Sequence, residues 1–243
     1  MVKVELDTQS KDKVLAIMQP TYFPWIGYFS MINLVDEFVF LDDVQLVKRS
    51  WQVRNRIKTP NGEIFLSIPI RKTSNRDELK IKDAIINYDE KWVKKHLGSI
   101  QHNYSKAKYY NEVYPFVEKL IDSKIEHLSH FNKNIVEQIC KKIGIQTKIL
   151  NSSELSLKKL NKDEKLLNIC EELDCNTYYS AKGSSDYIRR ELFEEKKINL
   201  IYQEYEHPVY EQMNGDFISH LAIIDLLFNV GFEKSLDKIV EKR

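Results

Sequence analysis

Glycine and proline are scarce here, seven and six in a chain of 243 residues, and no linker-like, repeated or low-complexity stretch divides it. One α/β domain spanning residues 1–243 is therefore expected, with a helical subregion at about 89–144 and a core large enough to stand without staples. Charge of one sign is also missing. Lysine plus arginine number 37 against 36 aspartate plus glutamate, so no global field draws nucleic acid or lipid, and any anion site must be local. Cysteine is limited to Cys140, Cys170 and Cys175, without a CxxC and with one left over in any pairing, which favours a reducing compartment. Long apolar runs are absent as well. The opening MVKVELDTQSKDK has no signal-peptide core, and nothing approaches the ~20 residues of a spanning helix, so a soluble cytoplasmic protein is expected.

What the chain does hold is a dense segment from Met18 to Ile57. Val14 to Met18 reads as a strand buried on both faces, stopped by Gln19-Pro20. Pro20 and Pro24 stiffen the loop between them, and Trp25, Tyr28, Phe29, Ile32 and Val35 recur at helical spacing, which predicts a helix from about Trp25 to Leu34. Glu37 to Leu41 reads as a second strand, ending on Asp42-Asp43. In open α/β sheets that carboxyl edge is where ligands bind. From Lys48 to Arg56 donors alternate with Trp51, a run suited to gripping a phosphate by charge and fork geometry. The plain alternative is a solvated edge strand, with Asp42-Asp43 pairing Lys48-Arg49 at the surface. Asn61-Gly62 then signals a hairpin whose second strand is Ile64 to Ile70.

Downstream, strands are expected at 79–88, 147–150, 177–180 and 199–205, and helices from about 89 to 104, then at 111–121, 125–143, 164–173, 185–194, 217–229 and 235–241. The alternation predicts an α/β fold: a mostly parallel sheet flanked by helices, with a β-hairpin and a helical middle section.

Histidines are the natural proton carriers near neutral pH. His127 and His130 stand three apart without a third ligand, so no metal site is expected. His96 and His102 fall on a lysine-rich face where solvation is the default, although His96 could flank an acidic ligand. His207 differs, since it follows a predicted strand, precedes Pro208, and has Tyr205, Tyr210, Glu204 and Glu206 around it. A histidine fixed in this way and oriented by a carboxylate suits a general base, and a strand-end cap is the alternative. The turn from Ala181 to Tyr187 after Ser180 can present amides to an anion, or can be a plain strand-to-helix turn. Asp225 sits in an apolar helix stripe and must be paired or hydrogen-bonded if buried; a structural partner such as Lys48, Arg49 or Arg56 and a catalytic task are both open. No GxSxG, HExxH or kinase-like set occurs.

Three blocks resemble the WbqC-like family of bacterial surface-polysaccharide clusters. They are Gln19-Pro20-Thr21-Tyr22 with Pro24 to Phe29; Leu41 to Gln45 with Lys48 to Gln52 and Asn55 to Ile57; and Tyr205, His207-Pro208, Tyr210 and Gln212 with Ile223 to Gly231. The likeness covers about Val14 to Gly231. Val53 departs from the polar residue expected before Arg54, and Ser219 to Ala222 is looser than the family pattern.

The resemblance implies transfer of an acyl or aminoacyl group, such as glycyl, to the amine of a nucleotide-linked dideoxyamino sugar in O-antigen or related lipopolysaccharide synthesis. The donor would be an acyl-CoA or an acyl or aminoacyl carrier-protein thioester, with no firm cofactor, and a homodimer is compatible with it. His207, Asp42 and Asp43 are the candidate catalytic groups. Gln19, Tyr22, Trp25, Tyr28, Gln45, Lys48, Arg49, Trp51, Asn55, Arg56, Ser180, Tyr205, Tyr210, Gln212 and Asp225 are the candidate substrate-binding ones. Two other classes stay open. The amino end outlines an adenylyl-transferring ligase but lacks that class's histidine near Pro24 to Tyr28, and a non-catalytic binder of nucleotide sugars would use the same aromatics and amides.

Overall fold

A computed structural model describes residues 13–240 apart from 159 and 161. Strand β1 (Val14–Met18) leads through helix α1 (Ile26–Leu34) into β2 (Glu37–Phe40), as the apolar runs predict. The hairpin follows as β3 (Arg54–Thr59) and β4 (Gly62–Ser67). Its loop is Pro60-Asn61 rather than Asn61-Gly62, because Gly62 pairs with Thr59 while taking a φ of +110°, a conformation glycine adopts without steric cost.

Three helices form the middle section: α2 (Trp92–Tyr104), α3 (Tyr110–Ile121) and α4 (Leu128–Ile143), the last closed by Gly144 at a φ of +90°. The chain then alternates through β5 (Lys148–Asn151), α5 (Lys162–Glu172), β6 (Thr177–Ser180), α6 (Arg190–Glu195) and β7 (Asn199–Tyr202), and ends in α7 (Ile223–Val230) and α8 (Phe232–Ile239).

Three expectations fail for a shared reason, which is that tertiary partners capture backbone groups the periodicity assigns elsewhere. Residues 79–88 form no continuous strand. They make isolated bridges to Gln45, Ile70 and His127 and a short 3-10 turn at Ile81–Asp83, because their amides bond piecemeal to Val44, Asp42, Glu126 and Pro69. Residues 185–189 precede α6 without being helical. There the Arg189 amide donates to Asp163 at 3.1 Å, and the Arg189 guanidinium clasps the same carboxylate. Residues 217–222 precede α7, since the Ala222 amide bonds to Arg56 O and the Ile223 amide to Pro24 O.

Five strands form one sheet in the order β5-β2-β1-β6-β7, every neighbouring pair parallel. Counted along the chain, that order is 3-2-1-4-5. The path from β1 runs outward through β2 to β5, then returns to the other side of β1 as β6. Connections thus diverge between β1 and β6, the switch point at whose carboxyl ends open sheets bind ligands. One core lies on the face of Ala16, Phe38 and Phe40, with α1, the hairpin and the helical middle. The other lies on the face of Leu15, Ile17 and Val39, with α5 and α6.

Candidate functional site

A cleft of about 1090 Å³ opens at the carboxyl edge of the sheet, with Met18 at the end of β1 and Gln19 beyond it, Leu41 and Asp43 beyond β2, and Ser180 at the end of β6 in its lining. Ser152 and Ser153, just past β5, complete the strand-end floor. The position follows from topology alone, because strand ends flanking a switch point have no connection crossing over them.

The floor is organised by two adjacent carboxylates that behave differently. Asp42 is buried, accepting from Lys133 Nζ at 2.5 Å, Ser153 Oγ at 3.0 Å and Ser129 Oγ at 3.2 Å. Burial by itself raises its pKa, but Lys133 and the two serines hold the carboxyl below its ordinary value. Asp43 faces the cleft and accepts from Ser152 Oγ at 2.6 Å and from the Lys165 ammonium. Burial raises its pKa too, and Lys165 and Ser152 more than offset that, so both acids are ionised at neutral pH.

Their cations come from α4 and α5, not from Lys48 and Arg49. Those two are exposed, Arg49 in a turn at a φ of +57°, and neither lines the cleft, so the expected surface pairing does not form. Among the described residues cations dominate the lining, with Lys80, Lys82, Lys158, Lys162 and Lys165 against the one carboxylate of Asp43. Amides join them, and Gln52 Nε2 donates to Gln19 Oε1 at 2.5 Å. Gln45 also lines the cleft while donating to Asp77 O at 2.6 Å. Two aromatics stand at the mouth, Trp51 at 48 % exposure and Tyr187 at 57 %.

Gln19, Asp43, Gln45, Trp51 and Ser180 are thus brought together, with Asp42 directly behind. Tyr22, Tyr28 and Asn55 are placed inside the fold instead. Asn55 Nδ2 donates to Tyr22 O and Phe23 O, and Tyr28 OH donates to Gln19 O, so the three hold the proline-bracketed loop, where Phe23 takes a φ of +41°. Tyr22 OH donates to His96 Nδ1 at 3.0 Å, while His96 Nε2–H donates to Ser67 O at 3.2 Å. His96 is therefore a buried neutral imidazole, its pKa lowered to about 4 by burial, and not the solvated one expected from its lysine-rich surroundings.

The remaining candidates form a second cluster outside the cleft lining, which it meets where the Arg56 guanidinium lies 5.6 Å from the Trp51 ring centre. The Trp25 ring lies over Gly27, where any side chain would meet it within 2.5 Å, and stacks on His220 at 4.7 Å and His207 at 6.1 Å, with Tyr205 edge-on at 5.4 Å. His207 Nδ1–H donates to Pro208 O at 3.0 Å, so no carboxylate orients the ring, and Nε2 is buried without a hydrogen-bond partner among the described residues. Burial lowers its pKa. Arg56 pairs with Glu63 at 2.8 Å and donates to His220 O.

Asp225, fully buried, accepts from Tyr210 OH at 2.7 Å, Tyr104 OH at 2.8 Å and Gln212 Nε2 at 2.9 Å. Burial raises its pKa against those donors and the nearby Lys58, so its partners are not the three cations the sequence suggested. Lys58 Nζ in turn donates to Gln212 Oε1 at 3.1 Å and to the carbonyls of Gly215 and Asp216, which ties the loop after β7 to the hairpin.

Sequence reasoning missed the lysines of the cleft, together with Lys133. Nothing local marks them. Ser152-Ser153 carried a usable signal, since a polar pair directly after an apolar strand is what singled out Asp42-Asp43. Among the described residues no group of three or more histidine, cysteine, aspartate or glutamate side chains could hold a metal ion.

Comparison with known proteins places these features in a family. The model of the WbqC-like protein family matches residues 19–236. This chain belongs to the WbqC-like family. It is also similar to an uncharacterized protein of Mycobacterium tuberculosis, Rv1507c, at 34 % identity over 223 residues, covering 91 % of this chain and 95 % of that one. No solved structure matches. The family match spans both clusters, from Gln19 at the cleft to Asp225 and beyond. No helix among the described residues is long and apolar enough to cross a membrane.

Proposed function

We propose that this WbqC-like protein binds a nucleotide-linked amino sugar in the cleft and transfers an acyl or aminoacyl group, glycyl among them, to the sugar's amine. The observation that carries this reading is that, among the described residues, five lysines and one carboxylate line a switch-point cleft. Such a balance favours a ligand with more than one negative charge, and a diphosphate fits it by charge alone. The exposed indole of Trp51 offers a face for a base, and Gln19, Gln45 and Gln52 offer donors and acceptors for hydroxyls.

Asp43 is the one anionic group that the described residues bring to that lining. A carboxyl held below its ordinary value suits gripping a sugar ammonium rather than removing its proton, so Asp43 orients the amine and the proton leaves to water. The free amine then attacks a thioester carbonyl. The C–N bond forms, the C–S bond breaks, and the amine's remaining extra proton goes to the departing thiolate. His207 has the open Nε2 a base needs, yet it stands outside the cleft lining and has no part in this step.

The test is amide formation from a thymidine-diphosphate-linked 4-amino-4,6-dideoxyhexose and a panel of acyl-CoA and carrier-bound thioesters, followed by mass spectrometry. Product is expected with the wild type, and Asp43→Ala should lower kcat/KM by about 100-fold. No product with any thioester, or product that needs ATP and the free acid, would replace this reading with one of the other two classes.

A further inference from the structure

The cleft has two rims, and they belong to opposite faces of the sheet. One carries Trp51 with Gln45, Lys80 and Lys82, on segments whose Leu46, Leu66 and Ile81 pack into the core with α1 and the hairpin. The other carries Tyr187 with Lys158 and Lys162, on segments whose Leu157, Leu166 and Ile188 pack into the core with α5 and α6. Each rim therefore contributes one exposed aromatic ring and two lysines to the lining, to which the sheet edge adds the Asp43–Lys165 pair. A volume of about 1090 Å³ also sits at the upper limit of single-ligand pockets, typically ~300–1,000 Å³.

We propose that the two rims hold two phosphorylated ligands at once: the nucleotide-linked sugar along the Trp51 rim and a phosphopantetheine-type donor, such as a CoA thioester, along the Tyr187 rim. This rests on the preceding reading of the cleft. The amides separate the roles, because Gln52, next to Trp51 in the chain, is hydrogen-bonded to Gln19, and Gln45 bridges Lys80 on the same rim, so they can read sugar hydroxyls, whereas the Tyr187 rim contributes Leu155, Leu157 and Leu166, apolar side chains suited to a pantetheine arm.

The consequence is direct transfer within a ternary complex. Cys140, Cys170 and Cys175 are all buried and none lines the cleft, and its serines, Ser152, Ser153, Ser180 and Ser184, have no histidine in the lining to activate them, so no group there is equipped to carry the acyl chain covalently. The sugar amine meets the donor carbonyl over Asp43, the C–N bond forms as the C–S bond breaks, and the thiol leaves protonated.

Titration calorimetry on the full chain tests this with two probes, thymidine diphosphate and coenzyme A. Coenzyme A should bind protein saturated with thymidine diphosphate with a Kd unchanged within about twofold. Trp51→Ala should weaken thymidine diphosphate by about 10-fold or more and spare coenzyme A, and Tyr187→Ala should do the reverse. Should either alanine variant fail to fold, the exposed positions give Lys80→Glu and Lys162→Glu, which carry the same two predictions. Mutual displacement of the probes, loss of both in each variant, or exchange of the two rims' preferences would overturn the two-rim assignment while leaving a nucleotide-binding cleft. Binding of neither probe would overturn that cleft reading as well.

Discussion

Asp42 and Asp225 are both buried aspartates within a turn of an element's end, yet one is held below its ordinary pKa and the other is raised. The difference lies in their partners. Asp42 has an ammonium in direct contact, whereas Asp225 is surrounded by the neutral donors of Tyr104, Tyr210 and Gln212, with Lys58 acting only from a distance. Hydrogen bonds from hydroxyls satisfy a carboxylate without neutralising it, and burial then decides the sign. The Asp42 network fixes the floor of an open, cationic cleft. The Asp225 network fastens a loop and a helix to the hairpin.

The largest effect should come from breaking the ion pair. Lys133→Met leaves Asp42 buried without its cation and should cost about 3–5 kcal/mol in urea unfolding at pH 7. The sign with pH is also fixed. In the wild type the Asp42 contribution is present above the ordinary value of 3.8 and is lost as pH falls through the lower folded value. In Lys133→Met the carboxyl is raised, so the deficit should shrink on acidification from pH 7 towards 4. A deficit that grows over that range would contradict the assignment.

His96 gives the next effect. Its folded pKa of about 4 lies below the ordinary 6.5, so the unfolded chain takes up the proton first and stability falls as pH drops between those values. The wild type should lose about 3 kcal/mol more than His96→Gln over that interval. Equal losses in the two proteins would mean that the imidazole is solvated.

Tyr210→Phe probes the other region. It removes one hydroxyl donor from Asp225 and should cost about 1–3 kcal/mol by thermal or urea unfolding, with nucleotide binding in the cleft unchanged. Loss of binding with intact stability would join the two regions into one site. Smallest is Lys48→Ala, which should change stability by no more than about 0.5 kcal/mol, since the residue is exposed.

Local signals in the sequence located the first three elements and the cleft's acidic edge. An apolar run ending in two aspartates reads as a strand end whatever follows it, and β2 with Asp42-Asp43 answers to that pattern. The partners of those acids were not legible, because Lys133 and Lys165 lie 91 and 122 residues away and look like ordinary surface lysines of amphipathic helices. Residues 217–222 misled for a related reason. Their apolar spacing is helical, but the carbonyls of Arg56 and Pro24 take the Ala222 and Ile223 amides before a helix can begin. The sequence neighbours of His207 suit a base, while its ring packs on His220 and on Trp25, the latter distant in sequence.

The central claim is that the ligand sits in the lysine-lined cleft and not at the Trp25–His207 cluster. Titration of thymidine diphosphate into Lys82→Glu and His207→Ala, beside the wild type, tests it most directly. Lys82→Glu should weaken binding by about 10-fold or more while His207→Ala stays within about twofold of the wild type. Binding lost in His207→Ala and retained in Lys82→Glu would contradict the account.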